Sequence, residues 1–176
     1  MKQYGKSVIA LVSICAVIAL ILACTNSITK EIIEENEREA VNESLLLVLP
    51  EGSGFEELDC SAYALPATVT DVYREAGGGY VFQMTTTGYS SGMVILCGVS
   101  AEGTVSGALC LSSTETLGYE KTYGDSVKGA TLDTVDSVDA VSGATKTTEA
   151  YRNAVKDALT AFATISEQVG KGGAAA

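Results

Sequence analysis

Histidine and tryptophan are missing altogether from the 176 residues, and proline occurs only twice. Without His, the usual general base of hydrolytic sites and the commonest neutral metal ligand are both gone. Cysteine occurs five times but never as C-x-x-C. Zinc, haem and iron–sulfur ligation by this chain are therefore not expected. Positive charge is scarce too: 11 Lys and Arg stand against 22 Asp and Glu, a net charge of −11. A chain this acidic is repelled by nucleic acid and by anionic lipid head groups. Ten of its acidic residues fall between Glu31 and Asp59, against Arg38 alone, and they read as a solubilising face.

Apolar length is what the chain has in excess, and it is concentrated at the front. Between Lys6 and Lys30 lie 23 residues without a charge, and Val8 to Ala23 is almost wholly apolar. At about 1.5 Å per residue this run can span a hydrocarbon core of about 30 Å. Three readings compete. A lipoprotein would use Cys24, after Ile21-Leu22-Ala23. A cleaved signal has a shorter apolar stretch and a small-residue site at its end. The run is long and no Ala-x-Ala closes it, so an uncleaved single-pass anchor is expected over 1–27. Lys2 and Lys6 precede it and Glu31, Glu34 and Glu35 follow, which places the N-terminus in the cytoplasm and the remainder outside the cell (inner) membrane. Cys15 and Cys24 go with this segment. Cys97 and Cys110 sit in apolar strand patterns and read as core. A disulfide between two of Cys60, Cys97 and Cys110 stays open outside the cytoplasm.

Beyond the span, 28–66 is expected as a helical, acidic connector: Ile28, Ile32 and Ile33 share a side, Pro50 ends the helical pattern, and "EGSGFEELDCSAYALP" reads as loop. A domain is expected over 67–169. "ATVTDVYREA" and "YVFQMTTTGY" flank Gly77-Gly78-Gly79, a hairpin signal. "SGMVILCGVS" and "TVSGALCLSSTE" give a third and a fourth strand, with Val105, Leu109 and Leu111 alternating toward one face. Tight turns between short strands predict an antiparallel meander, and no βαβ alternation suggests a Rossmann sheet. A connection of about twenty residues follows, of the length that is functional or covered by short helices. The last helix shows Tyr151, Val155, Leu159 and Phe162 on one stripe, beside Ala154, Ala158, Ala161 and Ile165. Residues 170–176 read as a disordered tail. The expected fold class is α+β: one N-terminal transmembrane helix, then a small antiparallel sheet with the C-terminal helix packed on it.

The chemistry-bearing stretch is "DAVSGATKTTEAYRNAVKDAL", 139–159, where a small, hydroxyl-rich loop runs into that helix. A helix start offers unpaired N–H groups and partial positive charge, which together suit an anion, above all phosphate. Ser142-Gly143-Ala144 is small enough for a ligand to approach the backbone. Plain capping explains the same residues: Thr145 or Thr147 caps and Glu149 complements the dipole. No G-K-[ST] follows a spaced Gly, so a nucleotide-hydrolysing P-loop is not indicated.

Asp139-Ala140-Val141-Ser142-Gly143-Ala144-Thr145 resembles the flavinylation motif D-x-x-[ST]-G-A-T of the FMN-binding domain family. In that family a flavin transferase moves FMN from FAD onto the threonine that closes S-G-A-T. The resemblance implies a phosphoester-linked FMN on Thr145, with Asp139, Ser142, Gly143 and Ala144 forming the recognition loop. Thr147 and Thr148 are the weaker alternatives. "GYVFQMTTTGYSSGMVILCGVSAEGTVSGALCLSSTETLG" is similar to the family core. The family's H-x-E-T-P-G-L-G loop, which lines the flavin, corresponds here to Ser113-Thr114-Glu115-Thr116-Leu117-Gly118; Ser113 replaces the His and the Pro-Gly pair is missing. "LILACTNSITKEIIEENE" is similar to the membrane exit of the corresponding subunits of Rnf complexes, which couple electron flow between ferredoxin and NAD to Na+ or H+ transport. The resemblance implies a flavin-bearing electron relay, not a catalyst on its own. Its partners would be the other membrane subunits of such a complex. A stand-alone extracytoplasmic FMN protein is the other form it allows.

Overall fold

A computed structural model describes residues 42–172, together with Val12, Cys15 and Ile18, which are helical. The anchor expected over 1–27 and the first part of the connector otherwise lie outside the described residues. Among the described residues, no helix is long and apolar enough to cross a membrane. A compact unit begins at Glu43.

The strands of that unit are β1 (Glu56–Leu58), β2 (Val69–Arg74), β3 (Tyr80–Thr87), β4 (Ser91–Val99) and β5 (Val105–Ser112). They pair in chain order, each neighbour antiparallel. This is the predicted meander, with one strand more than expected. β1 pairs Glu56, Glu57 and Leu58 with Arg74, Tyr73 and Val72. Its sequence, Glu-Glu-Leu, carries no β pattern, so only the waiting edge of β2 makes it a strand.

Period-two alternation sends two apolar sets to opposite faces of β3 and β4. Tyr80, Phe82 and Met84 join Met93, Ile95, Cys97 and Val99 on one face, and the long helix α3 (Thr145–Gly172) covers them with Tyr151, Ala154, Val155, Ala158, Leu159 and Ile165. The expected stripe of this helix is thus the buried one. α3 runs to Gly172, into the segment expected as a tail. Val81 and Leu96 point the other way, against Leu45, Val48 and Leu49. The first two belong to the helical residues 42–48, here α1. Each of these buried aliphatic side chains contributes roughly 1.5–3 kcal/mol, so the segment between 43 and 49 is part of the core and not a spacer.

β5 departs from its expected alternation. Val99 pairs with Val105 and Gly98 with Gly107, which leaves Ser106 as an extra residue. A one-residue bulge flips every later side chain to the opposite face. Val105 therefore packs beneath α3, whereas Leu109 sits with Val81 and Leu96. A second irregularity pairs Val94 with Ser112 and Ile95 with Cys110, and Leu111 between them is exposed.

The connection after β5 is covered by short helical turns, as its length predicts: 3-10 turns at Tyr119–Lys121 and Val135–Ser137, and α2 (Gly124–Val127). It is tied to the sheet where Val105 N donates to Ala130 O at 2.9 Å and Gly129 N to Val105 O at 2.8 Å. Cys60, Cys97 and Cys110 are free thiols. Burial pushes the Cys97 thiol up to about 12, which fits a core residue without redox chemistry.

Candidate functional site at the mouth of the long helix

One hydroxyl ties the loop before α3 to the helix at two points. Thr148, fully buried, accepts from Val141 N at 3.1 Å and donates to Ala144 O at 3.0 Å through Oγ1. Ala144 N returns to Val141 O at 3.0 Å. Gly143 completes the turn at φ 88°, a conformation that costs other residues a Cβ clash. Further back, Tyr123 Oη donates to Asp139 O at 3.0 Å and Arg152 Nη1 to Val138 O at 2.9 Å. The chain from 138 to 148 is thus pinned at several points. The sequence pattern points to Thr145 or Thr147 as the cap; the hydroxyl that closes the loop belongs instead to Thr148, because its position in the first turn faces back onto Val141. Glu149 is exposed and lies beyond the first turn, which holds no acidic residue.

Thr147, also buried, points elsewhere. Its Oγ1 donates to Glu115 Oε2 at 2.7 Å, and Glu115 Oε1 accepts from Ser90 N at 2.9 Å. Glu115 thereby joins three distant pieces: the turn between β3 and β4, the segment after β5, and the start of α3. Gly88 fits between them, since a Cβ there would lie 2.6 Å from Glu115 Oε1 and 3.1 Å from Thr147 Cα. Of the three threonines, Thr145 is the exposed one.

These contacts frame a cavity of about 470 Å³ lined by Glu115, Thr116 and Leu117 on one side and Gly143, Ala144, Thr145, Lys146 and Thr147 on the other. Its size falls in the range of about 300–1,000 Å³ common to small-molecule sites. The structure brings together the E-T-L segment and the G-A-T segment, 28 residues apart in sequence between Leu117 and Thr145. Asp139, Ser142, Gly118 and Thr148 stand outside the lining; Gly118 caps the turn Tyr119–Lys121 in the left-handed conformation. Sequence reasoning missed Tyr89, Tyr119, Glu120 and Lys146, which complete the wall. Their signal was adjacency: each directly follows, or lies within two residues of, a residue already singled out or Gly88, just after β3. Tyr89, Leu117 and Tyr119 stay exposed at the rim, so the cavity offers an open apolar wall beside a helix start and a cation.

The role of Thr148 can be tested at the level of stability. Thr148→Val keeps the shape and removes the acceptor for Val141 N, and an unpaired buried donor costs about 1–3 kcal/mol. The midpoint of urea unfolding should fall accordingly, while Thr148→Ser should recover most of the loss. An unchanged midpoint for the valine variant would mean that the hydroxyl does not hold the loop.

The cavity sets exposed aromatic and apolar surface beside a helix start and Lys146, an arrangement open to an anionic ligand. Residues 88–160 match the family model described as the FMN-binding domain, which bears out the resemblance read from Ser142–Thr145. Over 196 aligned residues, 94% of this chain and 95% of its relative, the sequence is 26% identical to the G component of the Na(+)-translocating ferredoxin:NAD(+) oxidoreductase complex of Acetobacterium woodii.

Proposed function

We propose that this chain is a membrane-anchored electron relay that carries FMN in phosphoester linkage on Thr145. The observation that carries the reading is the exposed Thr145 hydroxyl, set at a helix start on the edge of a cavity of cofactor size. Transfer from FAD would join Thr145 Oγ1 to the FMN phosphorus, break the diphosphate and release AMP. The hydroxyl proton leaves with it, so the chain gains one FMN less one water. The residues present fit such a group. The N–H groups and dipole of α3 favour the phosphate anion, and Lys146 adds a full charge beside it. Gly143 and Ala144 allow close approach. Tyr89, Leu117 and Tyr119 offer apolar surface to a ring, and Glu115 fixes the two walls against each other. Bound FMN would supply the electron chemistry; the chain holds it, orients it and leaves it open to partners.

The relay would stand on the extracytoplasmic side of the cell membrane, behind a single span near the N-terminus. It would serve within an Rnf-type complex, between the other membrane subunits, after maturation by a flavin transferase. The near full-length alignment to a component of such a complex favours this over a stand-alone extracytoplasmic flavoprotein. The reading is tested by intact mass after co-expression with a flavin transferase. The mass of FMN less water, mapped to the peptide holding Thr145, is expected; an unmodified chain would refute it. Co-purification with the other components of the complex separates the two settings.

Glu115→Ala should leave the flavin attached but shift its absorption spectrum or its midpoint potential, because the segment 115–117 loses its tie to Ser90 and Thr147. A loaded variant with both properties unchanged would show that this segment does not line the ring.

A further inference from the structure

Among the described residues, the cavity wall holds one buried side-chain polar atom without a hydrogen-bond partner. Glu120 is 2% exposed, stands in the 3-10 turn Tyr119–Lys121 and lines the cavity. Its Oε1 accepts from Ser113 Oγ at 2.7 Å. Its Oε2 is buried and makes no hydrogen bond. Native folds pair nearly all such atoms, and an unpaired one calls for an explanation. Desolvation makes the deficit worse when the atom belongs to a charged group. An ionised carboxylate can only accept, so what is missing is an N–H or O–H donor.

The other polar groups on the cavity do not supply it. Both oxygens of Glu115 are engaged by Ser90 N and Thr147 Oγ1, and Glu115 has no proton to give when ionised. Tyr89, Tyr119 and Lys146 lie on the same cavity and are exposed, free to face water. Behind the wall, the thiol of Cys110 is raised by burial first and by the charge of Glu120 second, and it donates to Ser112 O at 3.5 Å. The unmet acceptor thus belongs to a buried side chain of a residue on the cavity wall, and its nearest cavity neighbours in sequence, Leu117 and Tyr119, are apolar or aromatic.

Resting on the FMN reading, we propose that Glu120 Oε2 accepts a hydrogen bond from the imide N–H of the flavin ring and so makes the cavity selective for a heterocycle with a donor there. The oxidised isoalloxazine ring has this single N–H. A site built around one buried hydrogen bond rejects analogues that lack the donor far more strongly than an apolar pocket does.

The test uses the full chain loaded with FMN by co-expression, with loading confirmed by intact mass. The imide N–H of bound FMN is titrated at alkaline pH by its absorbance. A carboxylate accepting from that N–H favours the protonated ring, so the midpoint in Glu120→Gln should lie below wild type by about one pH unit. Glu115→Gln removes an equal charge from the same cavity and should move the midpoint by much less. Equal midpoints in wild type and Glu120→Gln would overturn the proposal, as would equal shifts in the two variants, which would mean a general field. A second measurement needs no flavin. Glu120→Gln keeps the acceptor for Ser113 and removes an unmatched buried charge, so the thermal midpoint of the unloaded chain should hold or rise. A drop of more than ~5 °C would assign Glu120 to the fold and overturn the proposal. A chain that gains no FMN mass refutes the flavin reading and this proposal together, which differs visibly from a loaded chain with an unmoved titration.

Discussion

Thr145→Ala should abolish covalently held flavin and leave the fold intact. Thr145 is exposed at the first position of α3, whereas Thr147 and Thr148 are buried with their hydroxyls committed to Glu115 and to the loop. Losing the Thr145 hydroxyl therefore breaks no contact of the core, and alanine is the better helix former. The thermal midpoint should move by no more than a surface substitution does, within about 0.5 kcal/mol. Flavin fluorescence on a denaturing gel should vanish, and the intact mass should lose FMN less water. Thr145→Ser keeps a hydroxyl at the same place and should restore part of the loading. Fluorescence that persists in the alanine variant would move the attachment to another residue, and Thr147 and Thr148 are badly placed to receive it. Alanine at either of those would damage the loop before it addressed the linkage, so only Thr145 gives a clean experiment.

The strands are legible in the sequence where their pattern is local. β2, β3 and β4 are β-rich runs bounded by turn residues, and Gly77-Gly78-Gly79 marks the hairpin between the first two of these. The stripe on α3 is equally local. What stayed hidden depends on a partner elsewhere in the chain. β1 is a strand only because β2 offers an edge. The bulge at Ser106 is a matter of register with Gly98 and Val99, and no residue of β5 announces it. α1 covers the second face of the sheet, which "SLLLVLP" suggests as apolar but does not assign to a surface.

The candidate site divides along the same line. Physics pointed to the helix mouth as suited to an anion but favoured plain capping; the resemblance, not the spacing, singled out Thr145 and a flavin. The structure adds roles that sequence periodicity had no means of giving. Thr148 closes the loop, Thr147 reaches across to Glu115, and Glu120 lies buried beside the cavity with one oxygen to spare. Each is a long-range pairing of a polar residue. Such pairings leave no periodic trace in a single chain, whereas hydrophobic faces do.

Gly124→Ala should be the most damaging small substitution in the domain. Gly124 opens α2, directly over β5. A Cβ there would overlap the carbonyl oxygen of Ala108 and lie 2.8 Å from its carbon and 3.0 Å from Tyr151 Oη. The first two are backbone atoms of a strand paired with β4, so no rotamer change relieves the clash. Tyr151 is fully buried and its ring meets Tyr123 edge-on at 5.5 Å, so it has little room to retreat either. Overpacking of this kind costs about 1–3 kcal/mol where side chains can yield, and a rigid backbone partner puts it at or above the upper end, ~3 kcal/mol or more. At several degrees per kcal/mol, the thermal midpoint should drop by ~10 °C or more. The alternative to unfolding is for the connection to lift off β5. That would carry Tyr119, Glu120 and Tyr123 with it, loosening the cavity wall and the tie from Tyr123 to Asp139. Melting within about 2 °C of wild type would show that α2 does not press on the strand this closely. The pair of variants separates two properties of the domain: alanine at Thr145 removes the cofactor and spares the fold, whereas alanine at Gly124 spares the attachment hydroxyl and strips away the packing that shapes the cavity around it.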